Sequence, residues 1–402
     1  MNDSAANQIY FNPYDESFRA NPYPHYVNML AGGPWMIESM IPMAIFARYA
    51  DVLAVLRDPE RFSSVQPTSP MTARRQEVFG DTATVLFSDP PVHTRLRRIV
   101  SRAFTARRIR DLEPGIRILT AQLLDKAAAR GELELMADLA VPLPVMVIAG
   151  MLGVPAELYE TFKKWSDIIV EGDNEPPTLP MPRAVKAAFD ELVDYLHKQV
   201  DYRRKNPGDD LISLLVAAHE ESDALSEAEV IAFIVILLLA GNETTTNLIG
   251  NGMLALGRNP EQFELLRRNP DLLPGAIEEM LRYDSPAQSA VRFARGDIEF
   301  NGVRIRNGSF VFPVLAAANR DPAQFPEPDR FDITRDPNDH LAFGAGNHYC
   351  IGAALGRMEA TAAIGGLLDR FPGLRLADPA VRPAYKGSYF LRGLADLRMA
   401  IE

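Results

Sequence analysis

The sequence predicts a mainly α protein with a smaller β part, and two observations carry this prediction. Helical patterns of apolar residues dominate from about residue 91 to residue 282, and helical sequence returns at 353–371. Strand-like alternation occurs at 43–47, 298–305 and 309–314, with Asn-Gly turns at 301–302 and 307–308. No long linker, repeat or low-complexity tract divides the 402 residues, so a single large domain is compatible with the length.

The composition favours a large packed core in a reducing compartment. The chain is 47% hydrophobic and has one cysteine, Cys350, which excludes an internal disulfide and any site with two cysteine ligands. The net charge of −11 disfavours nucleic acid as a partner. The polar N-terminus lacks a signal sequence, and the longest apolar run, 230–241, is shorter than the about 20 residues that span a bilayer. We therefore expect a soluble, cytoplasmic protein without a membrane anchor.

A helix is predicted to follow the proline pair at 90–91, and its two sides differ. At 100° per residue, His93 and Arg97 fall among apolar residues on one side. The opposite side carries a basic stripe of Arg95, Arg98 and Arg102. A buried guanidinium needs an anionic partner. That partner is either a carboxylate elsewhere in the chain or an anionic group of a cofactor.

A long helix is predicted to begin at Ser226, which forms a capping-box pattern with Glu229. Midway along it, the small residues Ala240 and Gly241 remove bulk from the face that carries Thr244. Glu243 and Thr244 together pair an acid with an alcohol, as in a proton relay. The alternative is a tight helix crossing with a threonine that is hydrogen-bonded to its own helix.

The loop FGAGNHYCIG, residues 343–352, contains Cys350 directly before a helical sequence. A helix N-terminus favours the thiolate form of such a cysteine. One reading is a cysteine nucleophile with His348 as its base. The other is a thiolate ligand to a metal centre. A closed zinc site needs about four ligands and this loop offers at most two, whereas a haem needs one proximal ligand.

These motifs, in this order, resemble the cytochrome P-450 family, and its soluble bacterial members in particular, over nearly the whole chain. Phe343, Gly346, Cys350 and Gly352 match the family pattern Phe-x-x-Gly-x-x-x-Cys-x-Gly. The sequence Ala240-Gly241-x-Glu243-Thr244 matches the oxygen-activation motif. Glu279 and Arg282, which alone suggest an ordinary surface pair, match the family's Glu-x-x-Arg, and Arg330 matches the arginine that completes a buried structural triad.

The resemblance implies a single P-450 domain, residues 1–402, in which a triangular prism of helices encloses a buried haem. Its β-rich parts are expected at about 40–60, 292–315 and 380–402. One haem b per chain is implied, with Cys350 as the iron ligand. By family position, the propionate-binding residues are His93, Arg97, Arg292 and His348. The other residues expected beside the haem are Ala240, Gly241, Phe343, Gly344 and Gly352.

The resemblance also implies a monooxygenase. Thr244 and Glu243 are expected to deliver protons during activation of O2, and the reaction is hydroxylation or epoxidation. Oxidative coupling or desaturation by the same centre, non-catalytic haem binding and a cysteine-nucleophile hydrolase are the alternatives. Electrons are expected from a ferredoxin or flavodoxin with an NAD(P)H-dependent reductase, and the chain is expected to be a monomer. The docking patch comprises Arg95, Arg98, Arg102, Arg107, Arg108 and Arg110, unless this stripe only keeps the helix soluble.

By family position, the loop at about 63–86 and a set of mainly apolar residues line the substrate pocket. The set is Phe233, Leu237, Ala240, Thr244, Ala287, Gln288, Ser289, Val291, Phe390 and Leu391. Gln288 and Ser289 are its candidate hydrogen-bonding groups. The implied substrate is an apolar organic molecule of the terpenoid, steroid, polyketide or macrolide, or fatty-acid class. The proline-rich segment 171–182 is either an ordinary connection or a mobile lid over this pocket.

Overall fold

The computed structural model describes residues 9–13, 15–38, 42–67, 72–172, 179–219, 225–386 and 390–401. In this part of the chain the α-helices are α1 Glu16–Ala20, α2 Tyr23–Leu30, α3 Tyr49–Arg57, α4 Ala73–Phe79, α5 Val92–Ser101, α6 Ala106–Arg130, α7 Pro142–Met151, α8 Tyr159–Gly172, α9 Arg183–Lys205, α10 Leu211–His219, α11 Glu227–Arg258, α12 Pro260–Arg268, α13 Leu273–Tyr283, α14 Leu315–Ala318 and α15 Ala353–Arg370. The strands are β1 Trp35–Ile37, β2 Met43–Phe46, β3 Phe62–Ser63, β4 Leu133–Glu134, β5 Arg292–Ala294, β6 Ile298–Phe300, β7 Val303–Ile305, β8 Phe310–Pro313, β9 Arg375–Leu376 and β10 Arg398–Ala400. The predicted mainly α class with a smaller β part is confirmed.

The strands form three small sheets. The largest has the order β1-β2-β8-β5-β3, with β2 parallel to β8 and the other pairs antiparallel. A second sheet has the order β4-β10-β9. The hairpin β6-β7 turns at Asn301 and Gly302, both of which have positive φ, as an Asn-Gly turn requires.

Helix α11 is the central element of the fold. Ser226 caps its N-terminus and forms the predicted capping box with Glu229. Nearly every side of the helix is buried, because α7, α10, α13 and α15 pack around it. By length and composition α11 is the one described helix that could cross a membrane, but 72% of its most apolar window is buried inside the fold. A long core helix meets the same length and composition criteria.

Parts of the predicted β distribution need correction. Residues 49–57, in the middle of the expected β-rich part at 40–60, form helix α3. Strand β10 and isolated bridges at Tyr385 and Leu391 are the described β structure near the C-terminus. Six residues of the candidate lid, 173–178, lie outside the described residues. The assignment of the chain to a single domain stays a prediction.

Candidate functional site

The cysteine loop is a tight turn that leads into helix α15. Gly344 and Gly346 have φ of +69° and +68°, which only glycine adopts without strain. A Cβ on Gly346 would also lie 2.5 Å from the carbonyl oxygen of Leu56 at the end of α3. The Cys350 N–H donates to the Phe343 carbonyl at 2.9 Å and closes the turn. These constraints hold Cys350 three residues before Ala353, where α15 begins.

Burial raises the pKa of the Cys350 thiol. The Gly352 N–H and the positive charges of Arg97 and Arg357 oppose this shift but do not overcome it. The backbone N–H of Gly352 thus favours the thiolate, as expected before a helix, but burial outweighs this contribution. A buried thiolate needs a stronger positive partner, and a metal ion bound to the sulfur is one.

Four cationic or titratable side chains meet beside the cysteine loop, and we call them the cationic cluster: His93, Arg97, Arg292 and His348. The rings of His93 and His348 lie 4.2 Å apart between centroids. The buried Nε2 of His93 has no hydrogen-bond partner among the described residues. The guanidinium of Arg97 donates to the Tyr349 carbonyl at 2.7 Å, and that of the buried Arg292 donates to its own neighbour, the Val291 carbonyl, at 2.7 Å.

The cationic cluster lacks a compensating anion of its own. Burial lowers the pKa of Arg292 to about 10. Burial, followed by the charges of Arg292, His93 and Arg97, lowers the pKa of His348 to about 3. Asp89 is the nearby acid, but Ser63, the Ser64 N–H and Arg295 already occupy its oxygens. Among the described residues, no other carboxylate offsets these charges.

The observed groups fit a haem. The two propionates of a haem are the anions that the cationic cluster lacks, and its iron is the cation that Cys350 lacks. His93 Nε2 is an unpartnered polar atom in the correct chemical setting for such a carboxylate. The carboxylate that the sequence left open as a partner for His93 and Arg97 is not found in the described part of the chain.

The middle of α11 is less buried than the rest of the helix. Ala240 is exposed and Thr244 is half-buried, whereas residues 230–238 before them and 245–256 after them are almost all buried. The Thr244 hydroxyl donates to the Ala240 carbonyl at 2.8 Å, as the alternative reading of this motif predicted. Glu243 is buried. The missing side chain of Gly241 faces α7, because a Cβ there would lie 2.7 Å from Cδ1 of Ile148, and its expected place beside the haem stays a prediction.

A buried ion network connects α13 with the irregular segment that precedes the cysteine loop. Glu279 and Arg282 are completely buried and paired, with Nε to Oε2 at 2.7 Å and Nη2 to Oε1 at 2.8 Å. The third charged member is Arg335, whose Nε lies 3.2 Å from Glu279. The predicted third member, Arg330, is wrong: its side chain is 57% exposed and pairs with Glu327 and Asp332. Only the Arg330 carbonyl joins the network, by accepting from Arg282 and Arg335.

The structure brings the two predicted pocket segments together. Ala287 forms a bridge with Leu391, and the Gln288 N–H donates to the Phe390 carbonyl at 2.8 Å. Phe233 and Leu237 lie in one buried cluster on α11. Ser289 and Val291 flank the bridge region. The Gln288 side chain accepts from the hydroxyl of Tyr26 and donates to the carbonyl of Ser285, which fixes its orientation, and its role in substrate binding stays a prediction.

The predicted basic patch is mostly exposed. The exposed members are Arg98, Arg102, Arg107, Arg108 and Arg110. Arg95 differs, since it is half-buried and forms an ion pair with Glu229 at the start of α11. Its charge is therefore partly neutralised within the fold.

The sequence pattern does not single out Arg335 or Arg75. Arg335 lies in an irregular segment, where no helical or strand period indicates which side chains point inward. Arg75 fell inside the predicted pocket loop, but only the packing of α4 shows which way it faces.

One buried sulfur beside buried cations that lack carboxylates suits a haem-thiolate class of protein. Residues 34–387 match the cytochrome P-450 family model. Cytochrome P-450 107B1 of Saccharopolyspora erythraea is 41% identical over 395 residues, which cover 96% of this chain and 96% of that protein. A myxobacterial cytochrome P-450 in complex with myristic acid has a TM-score of 0.88 and 37% identity, covering 97% of this chain and 98% of the other.

A second solved structure, that of CYP109E1 from Bacillus megaterium in complex with testosterone, has a TM-score of 0.86 and 37% identity. It covers 96% of this chain and 100% of that one. The chain therefore belongs to the cytochrome P-450 family. It is a monooxygenase of that family and binds haem b.

Proposed function

We propose that this enzyme activates O2 with electrons from a separate protein and inserts one oxygen atom into a mainly apolar organic molecule. The observation that carries the proposal is the accessible part of α11. There Ala240 is exposed and Thr244 is half-buried, with the acid of Glu243 one residue away. An acid and an alcohol at this place favour use of O2, which needs protons, over use of peroxide.

The bound haem supplies activation of O2 and transfer of oxygen to the substrate. Cys350 holds the iron and the cationic cluster holds the propionates. Glu279, Arg282 and Arg335 lock the segments behind the cysteine loop. The N–H of Gly352 weakens electron donation by the Cys350 sulfur, because a hydrogen bond to sulfur reduces its donation to a metal.

Thr244 can hold or pass a proton at Oγ1, since a hydroxyl both donates and accepts. Its present acceptor is the Ala240 carbonyl of its own helix, which leaves the oxygen lone pairs for a second partner. Glu243 supplies the acid, and the buried position keeps bulk water from competing with it.

Replacing Thr244 with alanine tests this proton-delivery role. We expect NAD(P)H consumption to continue while product falls and peroxide rises. Thr361→Ala is the matched control, because Thr361 also donates to its own helix, at the Arg357 carbonyl, but lies on α15. If Thr244→Ala couples NAD(P)H consumption to product formation as the wild type does, Thr244 has no role in proton delivery.

The substrate class is apolar and of medium size. Support comes from the apolar wall of Phe233, Leu237, Ala287 and Leu391. Related structures hold a fatty acid in one case and a steroid in another. A screen of small molecules for a Soret shift of the ferric protein would identify ligands that displace water from the iron.

Electrons come from a small acidic protein, a ferredoxin or flavodoxin served by an NAD(P)H-dependent reductase. The exposed arginines of α5 and α6 support this proposal, since opposite charge speeds docking at low salt. We expect the double reversal Arg98→Glu and Arg102→Glu to slow electron transfer strongly at low salt and little at high salt. Arg268→Glu, an exposed position on α12, is the control. If the double reversal and the control variant transfer electrons at equal rates, the basic patch does not dock the electron donor. The monomeric state and cytoplasmic location stay predictions.

A further inference from the structure

Helix α4 turns one face towards the interior of the protein. Val78 and Phe79 on this face pack against the buried cluster that contains Phe233 and Leu237 of α11. Arg75 lies three and four residues earlier, so it shares the face with them. Arg75 therefore belongs to the lining of the proposed substrate pocket, whose other members are mainly apolar.

Arg75 is held in place without being neutralised. Its guanidinium carbon lies 5.4 Å from the ring centroid of Phe87, which in turn lies 6.3 Å from the ring of Phe79. Its Nε is buried, and no hydrogen bond or ion pair to Arg75 occurs within the described residues. Asp81 acts on it only at longer range and accepts a hydrogen bond from Gln76 at 3.2 Å. Burial also lowers the pKa of Arg75.

The neighbouring Arg74 shows what a structural arginine looks like on the same helix. Its Nη1 donates to the Gly172 carbonyl at 2.7 Å, and its Nε donates to the Leu179 carbonyl at 3.3 Å. It thereby ties α4 to both ends of the connection between α8 and α9. Arg75 makes no such tie in the described part of the chain, so its fork of N–H donors is available to a ligand.

We propose that Arg75 binds the carboxylate of the substrate, so that the substrate is an amphiphile with one carboxylate on an apolar skeleton, such as a long-chain fatty acid. This inference rests on the proposed monooxygenase function and names its substrate class. The Phe87 ring covers one face of the guanidinium and directs recognition to its planar edge, where a carboxylate binds with two parallel hydrogen bonds. A single cation in an apolar pocket lining suits a substrate with one negative charge, because a second buried negative charge would lack a cationic partner.

The test compares binding of dodecanoic acid and dodecan-1-ol to the haem-loaded protein at neutral pH, by calorimetry and by the Soret shift. The two probes share a chain length and differ in charge. We expect the wild type to bind the acid roughly tenfold or more tightly than the alcohol. Arg75→Gln should weaken binding of the acid roughly 10- to 100-fold, the value of a lost charge-assisted bond, and leave the alcohol within about twofold.

Arg74→Gln is the matched control. It removes the same charge from the same helix, so a general effect on pocket closure should change binding of acid and alcohol by the same factor. Arg75→Lys keeps the charge but not the fork and should retain part of the preference for the acid.

Equal affinity for acid and alcohol in the wild type, or unchanged binding of the acid in Arg75→Gln, would overturn the inference. So would a wild type that binds neither probe. The reduced carbon monoxide spectrum of the same samples separates this failure from a failure of the enzyme assignment. A thiolate-type spectrum without preference for the acid overturns only the role of Arg75, whereas loss of that spectrum in the wild type speaks against the proposed function itself.

Discussion

Two buried arginines, Arg282 and Arg292, differ in how their charge is satisfied. Arg282 is completely buried. Its N–H groups donate to the carboxylate of Glu279 and to backbone carbonyls, including that of Asn319. Arg292 is almost as buried, yet its guanidinium donates to the carbonyl of Val291, and the nearby acid, Asp89, is already bonded to other groups. Arg282 is therefore a structural residue, whereas the charge of Arg292 is left for an anion from outside the chain.

This difference separates buried charges that stabilise the fold from buried charges that bind a ligand. A buried charge that the chain neutralises stabilises the connections among the segments it joins. A buried charge that the chain leaves unsatisfied costs stability and is retained where a ligand repays that cost on binding. The same criterion assigns Arg74 to structure and Arg75 to binding, and it sorts the following variants by expected effect.

The largest effect is expected from Glu279→Gln. The change leaves Arg282 and Arg335 buried without a carboxylate, and breaking a buried pair costs about 3–5 kcal/mol. The free energy of unfolding from urea titration, together with the yield of haem-loaded protein, measures this. Glu327→Gln, at an exposed partner of Arg330, is the control. A variant as stable as the control would mean that the network does not lock the fold.

The next effect separates Arg335 from Arg330. We expect Arg335→Gln to lower the free energy of unfolding by about 2 kcal/mol, since it removes a charge-assisted partner of Glu279. Arg330→Gln should change it by no more than about 0.5 kcal/mol, because that side chain is on the surface. The opposite ranking in urea titrations would restore Arg330 as the third member of the triad.

Arg292→Gln should show the opposite balance. Removal of an unneutralised buried cation should leave the free energy of unfolding unchanged or raised, while the haem is lost faster by roughly tenfold or more. Transfer of haem to an excess of a haem-binding acceptor protein measures the loss. A variant that retains haem as the wild type does, but unfolds more readily, would place Arg292 with Arg282 as a structural residue.

Glu359 on α15 extends the comparison to a buried acid without a cation. It is 2% exposed, its Oε2 has no hydrogen-bond partner among the described residues, and burial raises its pKa to about 8. The folded state therefore keeps a proton that the unfolded state releases above the ordinary glutamate pKa. Stability should fall as pH rises through this window up to about 8, by about 1.4 kcal/mol per pH unit at most.

Urea titrations from pH 5.5 to 8.5 measure this effect as the difference between wild type and Glu359→Gln. The variant should lose that part of the pH dependence and gain relative stability towards pH 8. Parallel profiles for the two proteins would show that Glu359 is ionised in the folded state or has a cationic partner.

Local patterns predicted most of the functional elements, and long-range packing decided the rest. The spacing from Phe343 to Gly352 and the period of α5 depend on nearby residues, so the sequence displays them directly. The orientation of Gln288 depends on Tyr26, which lies 262 residues away in the chain. Such a contact leaves no periodic signal in either segment.

The misassignment of Arg330 and the unexpected direction of Gly241 have the same origin. Arg330 and Arg335 lie in one irregular segment, and the choice between them depends on how that segment folds over Glu279. Gly241 follows Ala240 directly, but a rotation of 100° along the helix turns it towards Ile148 of α7. The residue type was predictable in both cases, but the direction in which each position faces was not.

The reduced carbon monoxide difference spectrum of the wild type and of Cys350→His tests directly whether Cys350 ligates the iron. We expect a thiolate-type Soret shift in the wild type. We expect Cys350→His to bind haem through the cationic cluster and to lack that shift. A haem-loaded wild type without the thiolate-type spectrum, or a variant that retains it, would contradict the assignment of Cys350 as the iron ligand.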